Sequence, residues 1–448
     1  MLTRLVALAA ITLAITTAAS AADLPRYKLQ PGEVLTFHNT GIRHDQKGEE
    51  SGSDGQLRIV VAGQNGEAWN IIAFSSSNYW RGKRPEATTQ PAAPQNENMQ
   101  KAVLHADGRI DPSPDISINL GGYFLPLPQK EADLAGYTAD APFNATLTIT
   151  PSQRPDKQWL LDVKEDSLEN VIYIVTQHQT ATIDPDRGLP VRIENSFSQD
   201  YGIHQKGTGV NELVSVENKD PAWAAQLWKD AQTLDAANAA YGKAEEALTG
   251  DEAAMKSQLE KARDAFAAVK ANIQSPEIQA QFQSRMEMLP RYEKYTIQET
   301  LDQAKVLNQP APDWTLDQLG ANTKVSLKDL RGKVVVLDWW YRGCGWCMRA
   351  MPQIKQVAAD YKDRGVVIFG MNIDRDQSDA LFVMDKMALN YGTLKASDEL
   401  AKQYGVHGYP TMIIIDQAGI VRKLDVGYTP DLRKHLSATL DSLLKPPG

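Results

Sequence analysis

Sulfur is scarce in this chain. Only Cys344 and Cys347 among 448 residues are cysteine, so no disulfide within the chain ties distant segments together and all thiol chemistry is confined to one point. Cations are not in excess: 47 Lys and Arg stand against 56 Asp and Glu, for a net charge of -9, and no basic run or stripe occurs. Nucleic acid is therefore excluded as an expected partner, because binding it rests on a local surplus of Lys and Arg. The 7 histidines are scattered, which leaves a structural zinc site without its ligands; no metal and no cofactor is expected. Beyond the N-terminus no apolar run approaches the length of a membrane-spanning helix. What is present is ordinary. With 42% hydrophobic and 23% charged residues the composition is globular rather than that of collagen, a disordered tail or a disulfide scaffold, and the length accommodates about three folding units.

Residues 1–22 read as a signal peptide. Arg4 supplies the positive n-region, Leu5 to Thr17 a short apolar core, and Ala19-Ser20-Ala21 a small-residue cleavage site. Cleavage after Ala21 or Ala22 leaves a mature start near Asp23, with no cysteine there to carry a lipid. The expectation is a soluble exported protein, periplasmic or extracellular, without an integral membrane segment. Its compartment would be oxidising enough for disulfide exchange.

Residues 23–218 alternate apolar and polar positions in short runs separated by turn signals, which predicts an antiparallel all-β domain, a sandwich, barrel or half-barrel. Gln56 to Ala62 and Ala68 to Phe74 flank Asn65-Gly66, a pair that tolerates the positive φ angles of a tight hairpin turn. Arg81 to Met99, rich in Pro, Thr, Gln and Asn, is expected to be an exposed loop. From 219 to 307 the period changes. Leu227, Ala231, Leu234, Ala237 and Tyr241 form one apolar stripe, and Met255, Leu259, Ala262, Phe266, Val269 and Ile273 form another. The stripes predict a helical hairpin, packed on its neighbour or acting as an arm. Ser275-Pro276-Glu277 opens a third helix that Pro290 is expected to limit. Residues 308–448 alternate strand and helix, the pattern of a mostly parallel α/β sheet.

The C-x-x-C of Cys344-Gly345-Trp346-Cys347 follows the strand Val334 to Trp340 and opens a helical pattern. Cys344 thus sits at a helix N-terminus, where unpaired backbone N–H groups and the helix dipole favour a thiolate. Lowering a thiol pKa from about 8.5 to about 7 multiplies the attacking species roughly fifteenfold at neutral pH. Arg342 and Arg349 add positive charge nearby. Haem attachment would need His after the second cysteine, where Met348 stands. A structural disulfide closing so small a loop would stabilise little. Redox exchange is the remaining use.

The region from Ala311 onward resembles the thioredoxin superfamily, in particular its exported TlpA-like thiol-disulfide oxidoreductases. The resemblance rests on Ala311-Pro312-Asp313-Trp314, the run Leu327 to Lys333, the C-x-x-C, Pro352, Asn372-Ile373-Asp374 and Tyr404 to Thr411. It implies a thioredoxin-like fold in which Asp338 is a buried acid, Trp340 a core tryptophan and Pro410 a cis-proline facing the disulfide. Five positions depart from the pattern: Gly343 stands for a tryptophan, Gly345-Trp346 for a proline-containing pair, Ala350 for a frequent glutamate and Gly370 for the lysine beside the acid. Without that lysine, burial is expected to leave Asp338 readily protonated.

The implied function is protein thiol-disulfide exchange, in the reducing direction by family resemblance. Cys344 attacks a client disulfide; Cys347, deprotonated with help from Asp338, resolves the mixed disulfide. A purely structural acid is the alternative for Asp338. Tyr409 beside Pro410 is expected to pair with client main chain. Trp346 and Trp340 are further client-contact candidates, with core packing as the alternative for Trp340. Partners would be protein disulfide or dithiol clients and an unidentified thiol electron donor, with the N-terminal units binding or positioning clients. Two other readings are a binding or scaffold module with a tethered redox domain, and a peroxiredoxin-like peroxidase, whose Pro-x-x-x-Thr-x-x-Cys arrangement is absent before Cys344.

Overall fold

The computed structural model describes residues 24–82, 97–111, 118, 120–141, 145–166, 172, 175–200, 204–249 and 251–444. The expected signal peptide, most of the Pro-rich loop and Gly250 lie outside them. Ten strands make one antiparallel sheet: β1 (Glu33–His44), β2 (Glu50–Asn65), β3 (Ala68–Arg81), β4 (Asn98–His105), β5 (Tyr137–Ala141), β6 (Ala145–Gln153), β7 (Trp159–Asp166), β8 (Thr176–Ile183), β9 (Pro190–Asp200) and β10 (His204–Asn218). Their spatial order is β4-β3-β2-β1-β10-β9-β8-β7-β6-β5. Every neighbouring pair is consecutive in sequence except β1 with β10, so the sheet is two meanders joined along β1–β10. The two-layer sandwich among the expectations is therefore not formed. One face of this sheet is instead covered by segments outside the strands, and on the other face the helices cover β1, β2 and β3.

On one face, Leu35, Phe37, Leu57, Ile59, Ile71, Leu161 and Ile193 pack with Tyr27, Phe124 and Leu125 from segments outside the strands. The Tyr27 hydroxyl accepts from Leu125 N–H at 3.0 Å and donates to Leu125 O at 3.1 Å, which satisfies the backbone of that buried segment. Gly108, at φ +86°, is required here because a Cβ would lie 2.0 Å from Leu125 O. On the other face Val34, Val60, Ala62, Ile72 and Phe74 meet the helices.

Helix α1 (Pro221–Glu246) starts at Asp220, whose side chain accepts from Ala222 N–H. Helix α2 (Glu252–Ala268) starts at Asp251 in the same way. The first apolar stripe is buried and the second is buried except for half-buried Ala262 and Val269, and the hairpin packs on its neighbouring sheet. Helix α3 (Pro276–Ala304) does not stop at Pro290. Ile278, Phe282, Leu289 and Ile297 keep one buried face on both sides of the proline, and that packing outweighs the lost backbone hydrogen bond. Among the described residues no helix is long and apolar enough to cross a membrane.

A short hairpin of β11 (Thr315–Asp317) and β12 (Lys324–Ser326) leads into the C-terminal five-stranded sheet, ordered β15-β14-β13-β16-β17. Here β13 (Val334–Trp340) is central, parallel to β14 (Val366–Asn372) and antiparallel to β16 (Thr411–Ile415). Edge strands are β15 (Gly392–Lys395) and β17 (Val421–Val426). Helices α4 (Gly345–Tyr361), α5 (Gln377–Lys386), α6 (Asp398–Gln403) and α7 (Leu432–Leu444) complete it. Alternate residues of β13 serve two cores: Val335, Leu337 and Trp339 face one, Val334 and Val336 the other beneath α4 and α7.

Asp230 ties α1 to the start of α3. Its buried carboxylate accepts from Gln274 N–H (2.9 Å), Ser275 N–H (2.6 Å), Ser275 Oγ (2.6 Å) and Gln226 Nε2 (2.7 Å). Burial raises its pKa, but these donors outweigh burial and leave it below the usual range. The stabilisation is thus present above the ordinary carboxyl pKa and lost as pH falls through the lower folded value. Asp230→Ala orphans several donors at once and is expected to cost about 3 kcal/mol at neutral pH. The denaturation midpoint of the full chain measures it, and the deficit should shrink toward pH 3.

Candidate active site

Strand β13 ends at Trp340, and Tyr341-Arg342-Gly343 turns the chain into α4. Gly343 is needed in this turn: a Cβ would come 2.9 Å from the Tyr341 ring, so a tryptophan here would displace Tyr341. Cys344 is the N-cap residue of α4, and Cys347 N–H donates to its Sγ at 3.1 Å. The two cysteines form a disulfide with Cα atoms 5.2 Å apart. Both are buried, Cys344 at 5% exposure and Cys347 at 1%.

The surrounding wall is apolar. Trp340, Met348, Met351, Ala380, Val383, Met387 and Leu319 pack with the cysteines, and so does Ile172, from the connection between β7 and β8. Ile172 is fully buried, and its carbonyl accepts from Arg342 Nη2 at 3.4 Å. The N-terminal sheet unit therefore contributes to the apolar cluster around the disulfide and contacts Arg342 beside it. Nothing in the sequence marks this, because Val171-Ile172 reads as the start of a strand. Trp340 corrects an expectation: it is fully buried beneath the disulfide and offers no surface to a client. Trp346 is 42% exposed, stacked on Tyr428 with centroids 5.6 Å apart, and Arg349 lies over its ring at 4.4 Å.

Arg342 is committed elsewhere than to the thiols. Its guanidinium pairs with Asp379 (2.6 Å) and stacks on Phe382 (4.6 Å), while its N–H donates to Asp374 (2.9 Å). Burial raises the Asp374 pKa, opposed by hydrogen bonds from Asn372 and this backbone N–H.

Asp338 shares a face of β13 with Trp340, toward α4, and is 1% exposed. Tyr391 Oη donates to its Oδ2 at 3.2 Å; among the described residues no side chain or backbone group bonds Oδ1. Burial pushes its pKa up to about 7, against the lowering by Tyr391. The neighbouring position on β14 explains the missing cation. A Cβ on Gly370 would lie 2.6 Å from Trp340 Nε1 and 3.0 Å from Thr393 Oγ1, so indole and hydroxyl fill the space a lysine would need. Tyr391, immediately before β15, escaped sequence reasoning because nothing local pairs it with a residue 53 positions away.

The Tyr409–Pro410 peptide is cis. Pro410 is buried and Tyr409 half-buried, its ring edge-on to Tyr341 at 5.4 Å. The motif thus brings Cys344, Cys347, Trp346 and Trp340 together at the start of α4, with the loop carrying Tyr409 reaching it through Tyr341. Asp338 lies behind them on β13.

Residues 307–440 match the family model for Redoxin. Among curated proteins, the thiol-disulfide oxidoreductase ResA of Geobacillus thermodenitrificans is 29% identical over 138 residues, 30% of this chain and 79% of the relative. The thioredoxin-like protein YneN of Bacillus subtilis is 28% identical over 146 residues, 31% of this chain and 85% of the relative. A solved structure, the thioredoxin domain of a thiol-disulfide oxidoreductase from Bacteroides vulgatus, aligns at 25% identity over 30% of this chain and 97% of that one, with a TM-score of 0.28.

The Asp338 environment predicts a pH-dependent cost. The carboxyl titrates near 7 when folded and near its ordinary 3.8 when unfolded. Stability must therefore fall as pH rises between those values, by about 4 kcal/mol at most. Asp338→Asn, which stays neutral, should raise the thermal midpoint of the oxidised chain at pH 8 and leave it nearly unchanged at pH 4. Equal midpoint shifts at both values would contradict burial as the cause.

Proposed function

We propose that this chain, whose C-terminal unit is a thioredoxin-like Redoxin domain, is an exported enzyme that reduces protein disulfides through Cys344 and Cys347. The observation that carries the reading is the cysteine pair at the N-terminus of α4 with a buried acid on the preceding strand. In the reduced enzyme, Cys344 thiolate attacks one sulfur of a client disulfide. A mixed disulfide forms and one client thiolate leaves. Cys347 then gives its proton to Asp338, directly or through water, and attacks Cys344 Sγ. The second client thiolate leaves, two electrons have passed to the client, and the enzyme holds the Cys344–Cys347 disulfide. An external thiol donor restores the dithiol.

Cys344 is assigned as nucleophile because it caps α4 and accepts a backbone N–H, so its thiolate is stabilised where Cys347 is deeper and shielded. The backbone at Tyr409, beside Pro410, pairs with an extended client segment, and exposed Trp346 supplies apolar contact. Residues 23–218 and 219–307 act in client binding or positioning, which the presence of Ile172 in the buried cluster around the cysteines supports.

Insulin reduction in the presence of a thiol donor tests the activity, and hydrogen-peroxide consumption tests the peroxidase alternative. Cys344→Ser is expected to abolish disulfide exchange, whereas Cys347→Ser should accumulate mixed disulfides visible on non-reducing gels. Trapping by Cys344→Ser would reverse the two roles. Asp338→Asn should slow resolution more than first attack, by roughly ten- to a hundredfold in stopped-flow traces. Equal slowing of both steps would remove Asp338 from proton transfer.

A further inference from the structure

His407 lies two residues before Tyr409, and read locally it is a solvated loop histidine. It is exposed, yet it is held by partners on α3. Its Nε2 meets Asp302 Oδ2 at 3.1 Å, and its carbonyl accepts from Tyr295 Oη at 3.2 Å. The Tyr295 ring stands edge-on to its imidazole with centroids 6.2 Å apart. Tyr295 and Asp302 are seven residues apart on α3, two turns along one face.

Two further features fit the contact. Gly405, at φ +68°, passes so close to the end of α3 that a Cβ would lie 3.2 Å from the Asp302 carbonyl carbon and oxygen. Asp302 itself is aimed by Gln298 Nε2 (3.0 Å) and Lys305 Nζ (2.6 Å). At its other end α3 is anchored in the helical unit through Ile278, Phe282 and Leu289. One rigid element therefore runs from the N-terminal units to the loop that carries Tyr409 and Pro410.

We propose that the last turns of α3 are a brace for this loop, with Tyr295, Asp302 and His407 as positioning residues for peptide-disulfide exchange. The proposal rests on the oxidoreductase reading. None of the three touches the sulfurs; they act through the backbone at 407–411. Pairing that backbone with a client main chain requires the loop to be in place beforehand, and a loop held from outside has less freedom left to lose on binding. A small non-peptide disulfide makes no such pairing and should be indifferent to the brace.

The test uses full-length protein carrying Tyr295→Phe with Asp302→Ala. Amide hydrogen exchange of segment 405–411, read by mass spectrometry against α7 as internal reference, should accelerate roughly five- to tenfold, as loss of the two polar contacts to His407 implies. With a fluorogenic peptide disulfide, KM should rise by a similar factor while kcat holds; turnover of hydroxyethyl disulfide should stay within about twofold. His407→Gln, which keeps a donor toward Asp302, should retain most of the wild-type KM. Unchanged exchange in 405–411 overturns the brace. Equal losses on both disulfides overturn the positioning role, since the effect would then lie in the thiols or the fold. A wild-type chain inert toward both disulfides refutes the oxidoreductase reading instead, and the exchange measurement still decides whether α3 holds the loop.

Discussion

The junction of β13 with α4 governs the site. Within four residues the chain leaves a buried strand, turns, and begins a helix with Cys344 as its N-cap and Cys347 in its first turn. The helix start supplies a strong local field that favours a sulfur anion: N–H groups without intrahelical partners, one of them already directed at Cys344 Sγ. The other features depend on that placement. Met348 and Met351 are buried because they follow the cysteines on the inward face of α4, and Gly343 is small because Tyr341 must fold back toward Tyr409.

The environment of Asp338 shows how one substitution propagates. A glycine at 370 removes the cation expected beside the acid, and the indole of Trp340 takes the space. Tyr391 becomes the acid's neutral partner. A phenol contributes a hydrogen bond but no charge, so desolvation dominates and the carboxyl titrates near neutrality. The same end could not have been reached by exposing the acid, because an exposed carboxyl would titrate in its ordinary range.

Legibility in the sequence followed the range of the interactions. The C-terminal unit was readable because its signals are local: a strand, a C-x-x-C, a helix start and a proline at fixed spacing. The helical stripes were readable for the same reason, since every position of Leu227 to Tyr241 reports on one helix face. The sheet was readable as alternating strands but not in its layering, because alternation shows that both faces differ and not what covers them. Pro290 misled because its local cost was visible and the packing that offsets it was not. Ile172, Tyr391 and the Asp230 carboxylate form contacts across 170, 53 and 45 positions respectively, and no spacing rule reaches that far.

The apolar enclosure and the near-neutral acid are two parts of one electrostatic solution. The oxidised site holds a disulfide, which carries no charge and is buried without penalty behind Trp340, Met351 and Ile172. In the proposed cycle the difficult step is deprotonation of Cys347, because a second anion in this enclosure would be poorly solvated. If Asp338 is ionised when the mixed disulfide forms, proton transfer from Cys347 moves the negative charge from oxygen to sulfur without creating another. The pocket then holds one anion before and after the transfer. A carboxyl with an ordinary pKa would be a poor acceptor for a thiol proton, and one pushed far above neutrality would already be protonated. Burial restrained by a single Tyr391 hydrogen bond places Asp338 between those limits, so a site with no cation beside the acid and one neutral donor meets this chemical requirement.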